Sequence, residues 1–105
     1  MSSTEQQIEQ EIQEKNLNAP RLSPEKVDGA IVSEAYHVFP GTTTTVCALT
    51  LKNGFVVTGV SAAASAANFD EGIGRKIAFT NARDKIWELE GYLLKERMHV
   101  AEKEG

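Results

Sequence analysis

Two runs of β-branched and apolar residues flank Asn53-Gly54, and that arrangement constrains the chain more than any other feature. Thr44-Thr45-Val46-Cys47-Ala48-Leu49-Thr50-Leu51 and Phe55-Val56-Val57-Thr58-Gly59-Val60 suit a pleated, half-buried surface. Asn-Gly between such runs is the strongest short hairpin signal, because a type I′ turn needs positive φ at both central positions. The pair predicts an antiparallel hairpin over 42–61, with Leu51 facing Val56, Leu49 facing Thr58 and Cys47 facing Val60. One face then presents Cys47, Leu49, Leu51, Val56 and Val60 to a core. The other carries Val46, Ala48, Thr50, Phe55, Val57 and Gly59, and is still too apolar for open water.

Ser65 to about Met98 reads as one long helix. Ser65 serves as N-cap, Asp70 and Glu71 lie in the early turns, and Lys95 and Arg97 lie in the last. At about 100° per residue its apolar side chains form two stripes. Phe69, Ile73, Ile77, Trp87, Leu94 and Met98 cluster on one side. Phe79, Ala82, Ile86, Leu89 and Leu93 cluster on another. A helix with two stripes is covered on two sides, and one hairpin covers only one. A chain of 105 residues has little left for the other side, so a homo-oligomer is expected. Gly72, Gly74 and Gly91 fit either close backbone approach or a bend in the helix.

Ser23-Pro24-Glu25-Lys26 is a helix start, with Ser as N-cap and Pro at the first helical position. The expected helix runs from Pro24 to Ser33. Tyr36-His37-Val38-Phe39 either extends it or begins a strand, and Pro40-Gly41 breaks the chain. Residues 1–20 carry Glu5, Glu9, Glu11 and Glu14 against Lys15 alone, a net of −3. Ile8 and Ile12 lie at helical spacing there, so a short helix is expected, ended by Pro20. It reads as a flexible acidic arm, or as a docking arm that folds on a partner. The expected fold class is α+β: flexible N-terminal helix, short helix, two-stranded hairpin and long C-terminal helix, completed by oligomerisation. The arm spans 1–20, and a single domain spans 21–105.

The net charge of −4 argues against a general nucleic-acid coat. An apolar run of ~20 residues, which a membrane span needs, is missing. Met1-Ser2-Ser3-Thr4-Glu5-Gln6 has neither the basic nor the apolar segment of a secretory signal. Cys47 is the single cysteine and forbids an internal disulfide, which fits a reducing, cytoplasmic setting.

Residues suited to catalysis are few. His37 and His99 are far apart, Cys47 lies on the inward strand face, and Ser61 and Ser65 have no nearby base. No cluster has metal-ligand spacing. Gly72-Ile73-Gly74 has no preceding phosphate loop. The expectation is a protein that is not an enzyme and uses no cofactor.

Residues suited to binding are better represented. Arg75, Lys76, Arg83 and Lys85, with Asp84 among them, make the middle of the long helix net +3 in an acidic chain. Lys76, Thr80 and Arg83 fall on one strip. Asn81 adds an amide, Asn68-Phe69 adds an amide and a ring at the helix start, and Thr42 to Thr45 supply hydroxyls. Arginines with an aromatic ring and amides suit a small anionic nucleotide, phosphate to Arg and base to ring. The competing reading pairs Arg75 and Arg83 with Asp84, Glu88 or Glu90 across subunits and places Phe69 in the core.

Four segments carry a resemblance: Tyr36-His37-Val38-Phe39-Pro40-Gly41-Thr42; Asn53-Gly54-Phe55; Asn68-Phe69-Asp70 with Gly74; and Ile86-Trp87-Glu88-Leu89-Glu90-Gly91-Tyr92-Leu93-Leu94. Through them the chain, from about Leu22 to Arg97, resembles a family of small tailed-phage and prophage proteins. Around Ser61-Ala62-Ala63-Ala64-Ser65-Ala66 it departs from relatives that carry a cysteine and a proline. In size and element order it is also similar to phage anti-Thoeris proteins. That second likeness implies an oligomeric sponge, hexameric where described, in the host bacterial cytoplasm. Such a sponge binds cyclic ADP-ribose isomers or cyclic oligonucleotides without cleaving them. It further implies that Phe69 stacks on a base and that Arg75, Arg83 or Arg97 holds phosphates at a subunit boundary. The alternative function is inhibition of a host macromolecule by protein–protein contact, through the acidic arm or the second hairpin face.

Overall fold

The computed structural model describes residues 3–17 and 19–104. Helix α1 (Ser3–Glu14) is followed by α2 (Pro24–Gly29), strands β1 (Ile31–Val38), β2 (Thr44–Leu51) and β3 (Val56–Ala62), and helix α3 (Glu71–Glu104). Residues 1 and 2, at the start of the expected arm, and residue 18 lie outside the described residues.

Local chemistry sets the helix boundaries, and three of them differ from expectation. Helix α1 stops before Pro20. Asn16 takes φ 55°, and Leu17 N–H donates to the Ile12 carbonyl at 3.2 Å, which closes the helix in a Schellman motif. Helix α2 starts as expected, with the Ser23 hydroxyl accepting from Lys26 N–H at 3.3 Å. It ends at Gly29 rather than Ser33, because the next residues pair with β2. The long helix begins at Glu71, not after Ser65. Ser65 caps only a 3₁₀ turn over Ala66–Asn68, Phe69 is extended at ψ 130°, and Asp70 is the true cap. Its Oδ1 accepts from Ile73 N–H at 2.9 Å.

The sheet has three strands, not two. Its order is β1-β2-β3, antiparallel throughout. Of the two alternatives for Tyr36-His37-Val38-Phe39 the strand is the one adopted, and it extends back to Ile31, because β1 satisfies the backbone groups along the far edge of β2. A third strand also gives the sheet the width that a lone hairpin lacks.

The hairpin forms where Asn53-Gly54 predicts, but with a different turn. Leu51 N–H donates to Phe55 O and Gly54 N–H to Leu51 O, both at 2.8 Å, so the loop holds Lys52, Asn53 and Gly54. Gly54 takes φ +91°, while Asn16 alone among the described non-glycine residues has positive φ. Asn53 therefore does not adopt the type I′ conformation; its Oδ1 instead accepts from Phe55 N–H at 3.0 Å. The three-residue loop slips the register by one, giving Leu49↔Val57, Cys47↔Gly59 and Val46↔Val60. Such a slip turns a whole strand over. Val57 and Gly59 face inward, and Val56 and Val60 face outward at 47% and 50% exposure.

Helix α3 lies across the inner face. Ala78, Ala82 and Ile86 are buried against Cys47, Leu49, Leu51 and Val57, with Val27 of α2 closing one side. Of the two expected stripes, Ala82 and Ile86 with half-buried Phe79 form the covered one. Ile73 and Ile77 of the other are 57% and 48% exposed. Gly74 settles its alternative in favour of close approach: a Cβ there would lie 2.9 Å from the Thr45 hydroxyl.

The outer sheet face presents Ala35, His37 and Phe39 beside Val46, Ala48 and Thr50. Val56, Thr58 and Val60 of β3 complete it. None of these is Lys, Arg, Asp or Glu. Among the described residues no helix is long and apolar enough to cross a membrane.

Candidate functional site

The seven residues selected from sequence are dispersed. Asn68 is exposed on the 3₁₀ turn. Phe69 is half-buried, its ring tucked beside Gly74 in the first turn of α3. Arg75 is exposed, pairs with Glu71 at 3.4 Å and lies 5.7 Å over the Tyr36 ring. Lys76 is exposed. The Asn81 amide donates to the Val60 carbonyl at 2.9 Å. That carbonyl points away from β2, since Leu49, Cys47 and their partners make the ladder bonds, so Asn81 covers the open edge of β3.

Arg83 is 5% exposed and every guanidinium nitrogen is occupied. Nε donates to Asp28 Oδ1 at 2.6 Å, and the two Nη atoms donate to the Glu5 carboxylate at 3.0 and 3.1 Å. Burial works against the charge, and Glu5 and Asp28 more than offset it, so the guanidinium is held protonated. Its partners come from α1 and α2 of the same chain, not from Asp84, Glu88 or Glu90. Arg21 grips Glu9 in the same bidentate way at 2.8 and 2.7 Å. Both arm contacts are carboxylate–guanidinium forks.

Arg97 belongs to a different place. A groove of about 500 Å³ runs between the β2–β3 turn and the C-terminal half of α3. Leu51, Leu89 and Leu93 line it, and the rings of Phe55 and Tyr92 stand open at 56% and 71% exposure. Lys26, Lys52 and Arg97 rim it, with Glu90 as the opposing carboxylate. Lys26 Nζ donates to the Arg21 carbonyl at 2.9 Å. Among the described residues neither Lys52 nor Arg97 makes an ion pair. Sequence reasoning selected Arg97 alone from this set. Tyr92 fell on neither apolar stripe, and that mismatch was the signal that its ring is open.

Cys47 and Tyr36 are engaged away from the groove. Cys47 is buried in the core beneath Tyr36, whose hydroxyl donates to Glu34 Oε1 at 2.7 Å. Burial pushes the thiol above its ordinary value, against a smaller opposing effect of the Tyr36 hydrogen bond. Among the described residues no group of His, Cys, Asp and Glu could hold a metal ion.

Asn53-Gly54-Phe55 and Leu89 to Leu93 face each other across the groove, so two of the four segments that carry the phage resemblance meet there. No curated protein and no solved structure matches this chain. Residues 22–98, from the approach to α2 to near the end of α3, match a family described as phage proteins of the N4 Gp49/phage Sf6 gene 66 type, and the chain belongs to that family.

Proposed function

We propose that this protein binds a small anionic nucleotide in the groove beside Arg97 and sequesters it without cleaving it. The setting we propose is phage anti-defence, with a cyclic nucleotide immune signal of the host cytoplasm as ligand. One observation carries the reading: two open rings, Phe55 and Tyr92, line an apolar groove beside Lys52 and Arg97, which make no ion pair among the described residues. An aromatic face receives a base, worth about 1–3 kcal/mol per stacked base. Cations at the rim receive phosphate oxygens through charge-assisted hydrogen bonds. The groove is open to solvent along one side, which suits release as well as capture.

The proposal includes a homo-oligomer, supported by the exposure of Ile73 and Ile77 on α3. The alternative, in which the acidic arm docks on a host macromolecule, has less support, because Glu5 and Glu9 already hold α1 to its own subunit. Isothermal titration with cyclic ADP-ribose isomers and cyclic di- and trinucleotides tests the reading. Heat with one of them, with affinity weakened about tenfold or more by Arg97→Glu, is the expected result. No heat with any of them, using folded wild-type protein, rejects it.

A further inference from the structure

The outer face of the sheet is the second surface that a solitary subunit leaves open. An antiparallel sheet with one solvated face alternates apolar and polar residues, with the polar ones outward. This sheet does not. Its outward positions are Ala, Val, Thr, Ser and Phe, with His37 as the one ionisable side chain. Charged residues make up 25% of the chain, yet none stands on this face. Val56 and Val60 are about half exposed, and Phe39 is 47% exposed with its ring 4.7 Å from that of His37.

We propose that this face packs on the same face of a second copy, giving a two-fold dimer whose centre is a β-sandwich. The proposal deepens the homo-oligomer part of the preceding reading by naming the surface. Three considerations favour a second copy over a foreign partner. A charge-free face repels nothing when turned on itself, and it offers no charge pattern for a different protein to read. A twisted sheet is matched best by another of equal twist and size, at ~10 Å separation and about 30° rotation. Strands of seven and eight residues in a three-stranded sheet present a face roughly 14 Å by 26 Å. Two such faces project roughly 730 Å², and the pleat together with Phe39 at the corner raises the buried area toward the ~1,000 Å² that a specific interface needs. Strand addition at β3, the competing route to assembly, is obstructed by Asn81 on the Val60 carbonyl.

Light scattering on the full chain at about 100 µM is the test. The expected mass is an even multiple of the 11.5 kDa chain. Val60→Lys and, separately, Thr58→Lys place an uncompensated charge at the centre of the face. Each is expected to halve the mass while leaving the far-ultraviolet circular dichroism unchanged. Ile77→Lys, on exposed α3 surface, is expected to leave the sheet-face pair intact. A monomeric wild type overturns both this proposal and the homo-oligomer. A wild-type oligomer that survives both sheet variants overturns the sheet face alone. Nucleotide titration of Val60→Lys separates the dimer from the groove, whose lining residues it does not touch.

Discussion

Gly59 of β3 and Ala82 of α3 are in direct backbone contact. A Cβ built on Gly59 would stand 2.9 Å from the Ala82 Cα and closer still to the Ala82 nitrogen and the Ala78 carbonyl. The obstacle is helix backbone, which cannot rotate aside. Gly59→Ala therefore pushes α3 off the sheet, and overpacking of this kind costs about 3 kcal/mol. The expected outcome is a lowered denaturant midpoint with near-normal secondary structure. A variant as stable as wild type would contradict the backbone contact between Gly59 and Ala82.

Arg83 joins three helices through one side chain, since it sits on α3 and holds Glu5 of α1 and Asp28 of α2. Removing it leaves two carboxylates facing an emptied site. Breaking a buried pair costs about 3–5 kcal/mol, and Asp28 is 54% exposed, so Arg83→Ala is expected near the low end, about 3 kcal/mol. Glu5→Gln keeps a hydrogen bond and is expected to cost less. Chemical denaturation of both variants checks the order.

The same contacts show what could be read in the sequence. Asn53-Gly54 placed the hairpin, and Ser23-Pro24 placed the start of α2, because both act through their own backbone. The turn type escaped because types differing by one loop residue share the Asn-Gly signal, and the slip that follows moves Val56 and Val60 from core to surface. The third strand escaped because Ile31 to Val38 has weak alternation, and β2 decides its state. Arg83 looked like a ligand-binding cation because its partners lie 55 and 78 positions away in sequence. Of the groove, Arg97 and the off-stripe position of Tyr92 were legible, whereas the pairing of Phe55 with Tyr92 arises only through the packing of the turn on α3.

Glu9 supplies a pH-dependent hold on the arm. Its hydrogen bond from Arg21, aided by one from Gln13, holds the carboxyl below the ordinary 4.5. The charged form is thus the one the fold favours. The contribution is present above pH 4.5 and is lost as pH falls through the lowered native value. Carboxyl carbon NMR is expected to show Glu9 titrating below 4.5, with Arg21→Ala returning it toward that value. A wild-type midpoint at or above it contradicts the described pair.

Cys47 and Tyr36 act at the opposite end of the pH scale. Burial raises both above their ordinary values of 9.0 and 10.0. Above pH 9.0 the unfolded chain releases a proton that the native thiol keeps, so stability falls as pH rises from there. At neutral pH the thiol reacts only when the core opens. A disulfide reagent is expected to modify native Cys47 on the order of 100-fold more slowly than the denatured chain. Equal rates would place the thiol at the surface.

The groove makes the sharpest demand on its own residues. Lys52→Glu and Arg97→Glu each replace an attraction for phosphate with a repulsion. A hydrogen bond to a charged group is worth about 1.5–3 kcal/mol, so each variant is expected to weaken nucleotide binding about tenfold or more. Tyr92→Ala removes a stacking face and is expected to cost a similar factor without changing the salt dependence. Charge and stacking are thereby separated, because raising salt weakens wild-type binding through the cations and leaves the ring contribution in place. Lys95→Glu, exposed on α3 and outside the groove lining, alters net charge equally and is expected to bind as wild type does. Equal weakening by Lys95→Glu and Lys52→Glu would mean that overall charge governs binding, and the groove would lose its claim to the ligand.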